Sequence, residues 1–144
     1  MSGIKDLQIL LRDMNPELDP QEYIFCLFNK KVTDEILALD PICIFKEDEA
    51  ITLVLKKETA EKEGYQYDAV FKRIILNIHS SLEAVGLTAI FSTALAENNI
   101  SVNVISGYYH DHIFVPNTQA SHALQILLNI SQDKYSLFMH QTHK

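Results

Sequence analysis

The hydrophobic pattern is clearest in the second half of the chain, where helical and strand-like periods alternate. Five apolar residues recur at the helical spacing i, i+3, i+4, i+7 and i+8; they are Leu87, Ile90, Phe91, Ala94 and Leu95. A second helical stripe runs through residues 118–130. Three further segments have the character of strands; they are residues 69–79, 100–106 and 110–115. The pattern therefore predicts the order strand-helix-strand-strand-helix.

The first half predicts the same order after a leading helix over residues 4–14. Asn15-Pro16 ends that helix, because the residue before a proline avoids the helical backbone conformation. The elements that follow are a strand at 22–28, a helix at 33–39, strands at 41–46 and 50–56, and a helix at 58–63. The pattern therefore predicts two copies of one five-element unit along the chain.

The element order of each unit matches the ferredoxin-like βαββαβ fold without its last strand. We therefore predict an α+β fold of two ferredoxin-like βαββα units packed together, with antiparallel sheets and helices on one face. The units span residues 1–66, which include the leading helix, and 67–144. An open sheet edge invites unwanted pairing, so we expect something to cover it. The leading helix, the Lys134–His140 tail or a strand from the neighbouring unit are the alternatives.

Composition excludes several classes of protein. The 144 residues include 12 Lys or Arg and 19 Asp or Glu, a net charge of −7, which argues against nucleic-acid binding. No apolar run approaches the length of a membrane helix, and the N-terminus lacks the features of a secretion signal. Cys26 and Cys43 lie in apolar runs, which favours buried thiols in a reducing compartment. We expect a cytoplasmic protein without a cofactor.

Two segments resemble an ACT domain: residues 79–89, where a strand leads through a glycine loop into a helix, and residues 96–104, where a strand follows that helix. The run 107–116 resembles the C-terminal unit of small bacterial tandem ACT-like proteins of uncharacterised activity. The resemblance implies a regulatory fold that senses an amino acid or a related small metabolite. It also implies a homo-oligomer, such as a dimer, that passes its signal to a separate effector protein.

The resemblance places a ligand where the loop at Gly86 faces the second strand of a unit. The candidate ligand-binding residues are Val85, Gly86, Leu87, Thr88, Asn103, Ile105, Ser106, His110, Asp111 and His112. Gly86 would let a ligand approach the backbone, or it merely allows a tight turn. Asp111 would receive a ligand's ammonium group, or it bonds to amides of the turn.

His110 and His112 form a His-x-His pair on a predicted strand, so both side chains would project from one face. Such a pair supplies two ligands to a transition metal, with His79 as a candidate third. The alternative is that the two histidines form hydrogen bonds in an interface between sheets.

The hairpin also predicts a strand register. If Val104 and Ile113 both face the helices, then the opposite face carries Asn103, Ile105, His110, His112 and Phe114.

Enzymatic chemistry finds little support. A nucleophile needs a base in reach and a group that orients the base. Ser106 and His110 flank a turn, but no third member or oxyanion site accompanies them. Three functional hypotheses therefore remain. The first is a non-catalytic regulatory module that binds a small metabolite, and the second is a protein-interaction module without such a ligand. The third is a metal-binding protein that uses His110 and His112.

Overall fold

The computed structural model describes residues 3–29, 31 and 33–134 of the chain. The helices are α1 (Leu7–Arg12), α2 (Asp34–Ala38), α3 (Lys57–Glu63), α4 (Leu87–Glu97) and α5 (Ala120–Asn129). The strands are β1 (Pro16–Phe28), β2 (Cys43–Lys46), β3 (Ile51–Lys56), β4 (Phe71–Leu76), β5 (Asn103–Ser106) and β6 (Asp111–Pro116). A 3-10 turn (Asn117–Gln119) precedes α5 and a π-helical turn (Ile130–Lys134) follows it. Among the described residues, no helix has the length and apolar character that crossing a membrane requires.

The strands form one six-stranded antiparallel sheet in the order β2-β3-β1-β4-β6-β5. Each half contributes its strands in the order first, third, second, and the two halves meet where β1 pairs with β4. The predicted α+β class and the two repeated units are confirmed. The separate sheets expected for the two units are joined into one.

Strand β1 belongs to both halves, and the predicted strand at 22–28 was too short. Tyr23–Phe28 pairs with β3, whereas Pro16–Leu18 and Glu22–Tyr23 pair with β4. The register breaks between Leu18 and Glu22, next to Pro20, which has no N–H to donate to a ladder. The first part of β1 therefore covers the edge of β4, and a strand of the neighbouring unit supplies the missing fourth strand. Residues 135–140 of the alternative tail lie outside the described residues.

All helices pack on one face of the sheet, as predicted. In the C-terminal half, α1, α4 and α5 cover the buried side chains of Ile74, Leu76, Ile113 and Val115. In the N-terminal half, α2 and α3 cover a smaller cluster that includes Leu53. These two clusters form the helix-side core.

The opposite face of the sheet, which we call the concave face, has a core of its own. Tyr23, Val54 and Phe114 are fully buried there, although none of the helices in the described residues covers them. The ring of Phe114 meets that of Tyr23 edge to face, with the centroids 5.9 Å apart. Cys43 of β2 and Ile105 of β5 pack on the same cluster. Because β2 and β5 are the opposite edges of the sheet, the sheet must curl to bring them together.

The two cysteines occupy different faces. Cys26 is buried in the helix-side core, Cys43 is half-buried on the concave face, and both thiols are free. Burial raises the pKa of each thiol, so neither has the lowered pKa of a reactive cysteine.

Candidate functional site

The loop between β4 and α4 is covered by the start of the chain. The N–H of Ile4 donates to the carbonyl of His79 at 2.8 Å, and the N–H of Ser81 donates to the carbonyl of Ile4 at 2.9 Å. Gly3 lies so close to this loop that a Cβ there would be 2.7 Å from the backbone of Ser80 and Ser81. The segment 3–6, which we call the N-terminal arm, therefore packs directly on the loop in which the sequence predicts a ligand site.

Gly86 ends that loop at the N-cap of α4 with φ 106°, a conformation that favours glycine. A Cβ at this position would lie 3.1 Å from Cδ2 of Leu7, so α1 occupies the space beside Gly86. Of its predicted neighbours, Leu87 is buried in the helix-side core, whereas Val85 and Thr88 are exposed. The backbone conformation accounts for the glycine, and its role in ligand binding stays a prediction.

Asp111 and Ser80 are the buried polar residues among those described, each with 7% of its surface exposed. The Ser80 hydroxyl donates to Oδ2 of Asp111 at 3.4 Å, which is long for a bond between a hydroxyl and a carboxylate. Asp111 pairs with Ser106 across the hairpin and with Leu76 across the sheet. The arrangement places a buried carboxyl group with one long hydrogen bond beside the loop and the hairpin.

The histidines are arranged differently from the predicted pair. Strand β6 begins at Asp111, so His110 lies in the turn, where its carbonyl accepts from the N–H of Gly107 at 2.9 Å. His79 lies beside the exposed rings of Tyr108 and Tyr109, with centroids 5.9 and 5.1 Å away. The described part of the chain contains no group of three His, Cys, Asp or Glu side chains that could hold a metal ion.

The predicted hairpin register is confirmed. Val104 pairs with Ile113, and Ile105 pairs with His112. Ile105 and His112 therefore lie on the concave face, whereas Asp111 lies on the helix side, because neighbouring strand residues point to opposite faces. Asn103 pairs with Phe114 and therefore lies on the concave face with His112.

The candidate residues therefore fall on two faces of the sheet. Ser106 pairs with Asp111 across the hairpin, and no hydrogen bond among the described residues joins Ser106 to His110.

A charged cluster on the concave face was not predicted. Arg73 donates to Oδ2 of Asp19 from Nη2 at 2.7 Å and from Nε at 3.1 Å, and the Tyr23 hydroxyl donates to the same oxygen at 2.5 Å. The Arg73 guanidinium also lies 5.2 Å from the centroid of the Tyr23 ring. The side chains of Arg73 and Asp19 are 20% and 10% exposed, so the pair is largely removed from water.

This environment shifts the pKa of both acidic partners. Burial alone would raise the pKa of Asp19, but hydrogen bonds from Tyr23, the Gln21 N–H and Arg73 outweigh burial and lower it. Burial and the hydrogen bond to Asp19 raise the pKa of Tyr23 to about 12. Asp19 is therefore a carboxylate and Tyr23 a neutral hydrogen-bond donor at neutral pH.

A small cavity of about 90 Å³ lies next to this cluster, and we call it the concave cavity. It is lined by Ile42, Cys43, Arg73, Ile105, His112 and Phe114. Nδ1 of His112 is buried and has no hydrogen-bond partner within the described part of the chain. Burial, together with the nearby charges of Arg73 and His110, lowers the pKa of His112. Sequence reasoning named His112 but missed Arg73, since nothing in the local pattern separates Arg73 from other polar strand residues.

Family comparisons agree with this architecture. Residues 2–72 match an ACT-domain family model, and residues 72–129 match a second ACT-domain model. The chain belongs to the ACT-domain family. The matched segments follow one another along the chain, so the two ACT domains share the single sheet through β1 and β4. The predicted boundary at residue 66 stays a prediction.

Solved structures extend the comparison. A Vibrio cholerae protein of unknown function, described as a possible transport protein, is 51% identical with a TM-score of 0.80, over 91% of this chain and 100% of that chain. The ligand-free regulatory subunit of aspartate kinase from Thermus thermophilus has a TM-score of 0.54 at 12% identity, over 80% of this chain and 95% of that chain. E. coli aspartokinase III in complex with aspartate and ADP has a TM-score of 0.57 at 12% identity, over 80% of this chain and 32% of that chain. No curated protein sequence matches the chain.

The two aspartate kinase structures show a shared fold. The tandem ACT domains support a regulatory module that binds a small molecule.

Proposed function

We propose that this tandem ACT-domain protein is a non-catalytic regulatory module that binds an amino acid or a related amine-bearing metabolite at Asp111. The observation that supports this proposal is the buried Asp111 carboxylate, whose hydrogen bond to Ser80 is 3.4 Å long. A buried carboxylate is costly unless it is paired or fully hydrogen-bonded. A ligand ammonium group would supply the missing partner through a short, charge-assisted bond.

The loop beside Asp111 offers the means to regulate access. The N-terminal arm lies on this loop through two backbone hydrogen bonds, and Leu7 lies against Gly86. A ligand carboxylate that used the free amides at the start of α4 would therefore have to displace Leu7. Binding and the position of the arm would then be coupled. E. coli aspartokinase III, which shares the fold, was solved with aspartate bound, and this agrees with an amino acid as the class of ligand.

The proposal is tested by replacing Asp111 with asparagine. Wild-type protein is screened against the twenty amino acids by thermal melting, and each hit is measured by calorimetry. A ligand that binds only the folded state raises the melting temperature. Asp111→Asn removes the charge that receives the ammonium group, so we expect the affinity to fall by about tenfold or more.

The matched control is Asp48→Asn in the exposed β2–β3 turn, which we expect to bind the ligand as wild type does. Asp111→Asn removes a buried charge and keeps the shape of the side chain, so the fold is expected to persist. A panel that gives no response at all would contradict amino-acid sensing. Equal binding by both variants would contradict the role of Asp111.

A protein-interaction role is the second candidate, because large apolar side chains are exposed near β2. Leu27, Ile42 and Phe45 are exposed, and Phe45 is 64% exposed. Strand β2 is also an edge of the sheet, and exposed edges and apolar patches favour association. We propose that this surface pairs two copies of the chain in a dimer.

Phe45→Glu tests this surface. We expect wild-type protein to dimerise and the variant to dissociate at concentrations about tenfold higher or more, because a charge replaces a buried apolar contact. Sedimentation velocity over a concentration series measures the change. Val85→Glu, at an 82% exposed apolar residue in the other half, is the matched control and is expected to leave dimerisation intact. Monomeric wild-type protein, or equal effects of both variants, would count against the proposal.

A further inference from the structure

We propose that the concave cavity is a second binding site, which takes a small carboxylate anion such as acetate or propionate between Arg73 and His112. This site lies on the opposite face of the sheet from Asp111. It is therefore independent of the amino-acid site proposed above, and either proposal can fail while the other stands.

The unpartnered nitrogen of His112 is the first observation. Buried polar atoms in folded proteins nearly always have a hydrogen-bond partner, so an orphaned one points to a missing water or ligand. His112 Nδ1 is the buried side-chain nitrogen or oxygen without a partner among the described residues. It belongs to a side chain that lines the concave cavity. In the neutral imidazole, Nδ1 can carry the proton and donate to an oxygen.

Arg73 supplies the second donor. Its Nε and Nη2 atoms are directed to Asp19 and Tyr23, and none of the hydrogen bonds of the described residues uses Nη1. Arg73 also lines the cavity. A guanidinium is weakly hydrated and matches the geometry of a carboxylate. A carboxylate held by Nη1 of Arg73 and Nδ1 of His112 would therefore satisfy both free donors.

The charges around His112 favour an anion over a cation. Burial, then the charges of Arg73 and His110, lower the pKa of His112, and Asp111 opposes them. Arg73 and His112 line the same cavity, so the positive charge of Arg73 acts on the imidazole even though Asp19 is paired with it. An anion between Arg73 and His112 would reduce this repulsion. An ammonium group in the same place would add to it, which distinguishes this cavity from the site at Asp111.

The size and walls of the cavity select a short carboxylate. A volume of about 90 Å³ corresponds to roughly three water molecules of the liquid, which take about 30 Å³ each. Ile42, Ile105 and Phe114 make one side of the lining apolar. A methyl or ethyl group fits against such a wall. Phosphate has four polar oxygens, and those that face the apolar wall would have no hydrogen-bond partner. Acetate and propionate therefore match the lining better than inorganic phosphate does.

The position of the cavity gives the occupant a structural effect. Ile42 and Cys43 come from the β2 edge of the N-terminal half, and the other lining residues come from strands of the C-terminal half. A bound anion would contact both edges of the curled sheet. It would therefore stabilise the curled arrangement, since any ligand that binds only this state favours it.

Titration with sodium acetate and sodium propionate tests the site in the full chain. The readout is the ¹⁵N chemical shift of His112 Nδ1, measured at constant pH and with ionic strength held constant by sodium chloride. We expect a saturable shift with a Kd of about 1 mM, as is usual for a ligand of this size. Sodium phosphate and sodium chloride are the comparison anions, and we expect neither to give a comparable response.

Two histidine variants provide the controls, with calorimetry as the readout that both share. His112→Leu removes the donor and also an unpartnered buried nitrogen, so the fold is expected to persist, as circular dichroism would show. We expect it to weaken acetate binding by about tenfold or more. His122→Leu, on the exposed face of α5, should bind acetate as wild type does.

Three results would overturn the proposal. The first is the absence of saturation by about 50 mM acetate, the outcome for a cavity that holds only water. The second is an equal response to phosphate or chloride, and the third is acetate binding that survives in His112→Leu. Neither the first nor the third bears on the amino-acid site, because Asp111 is unchanged in these experiments.

Discussion

Arg73→Met is expected to lower the free energy of unfolding by about 3–5 kcal/mol, because it leaves a buried carboxylate without its cation. Asp19 is 10% exposed and receives two hydrogen bonds from Arg73. Methionine fills a similar volume, so the loss reflects charge more than packing. Urea unfolding followed by circular dichroism measures the change.

The double variant Asp19→Asn, Arg73→Met separates charge from packing. If an unpaired carboxylate is the cause, the double variant is expected to regain much of the lost stability. Lys5→Met breaks an exposed ion pair, Lys5–Glu83 at 2.7 Å, and is expected to cost less than about 1 kcal/mol. A loss in Arg73→Met as small as that in Lys5→Met would show that the concave pair is solvated.

Phe114→Ala is expected to lower the free energy of unfolding by about 3–5 kcal/mol, although no helix that the structure describes covers the side chain. Phe114 is 1% exposed, and its ring packs edge to face against Tyr23 and Phe25. Phe91→Ala is the matched control, because Phe91 is fully buried in the helix-side core. Urea unfolding compares the two variants under the same conditions.

The ratio of the two losses tests the concave core directly. Similar losses would show that the curl of the sheet buries this face as firmly as the helices bury the other. A loss below about 1 kcal/mol for Phe114→Ala, beside a large loss for Phe91→Ala, would show that the concave face is open to water.

Local sequence patterns predicted most of the fold, because the apolar and polar positions of its helices and strands repeat within a few residues. The stripe of α4 and the alternation of β6 need only neighbouring residues to be recognised. The hairpin register was also predictable, since a shift by one residue would move Ile113 out of the core. The predicted strand that contains β4 was too long at both ends. At its C-terminal end, residues 77–79 keep the alternating pattern after the chain has left the sheet.

The first part of β1 could not be predicted from its own sequence. Residues 16–21 contain two prolines and two acidic residues, which are unfavourable in strands. Residues 16–18 pair with β4, whose residues lie more than fifty positions away. The strand forms because the edge of β4 needs a partner, and a tertiary requirement of this kind leaves no local pattern.

The candidate site also combines residues that the sequence reveals with partners that only the fold brings close. Gly86, Asp111 and His112 are distinctive in sequence, and each occupies a special position in the structure. The partners that define their chemistry are remote: Leu7 beside Gly86, Ser80 beside Asp111, and Arg73 near His112. Strand alternation already predicted that Asp111 and His112 lie on different faces, but only the folded sheet shows what surrounds each of them.

The strand shared by the two halves limits how this protein can move. Since β1 holds backbone hydrogen bonds to β3 and to β4, the halves cannot swing apart as hinged bodies without breaking a continuous ladder. Flexing of the whole sheet, which widens or narrows the gap between its outermost strands, keeps every ladder intact. A displacement of one half would therefore reach the other as a change of curvature.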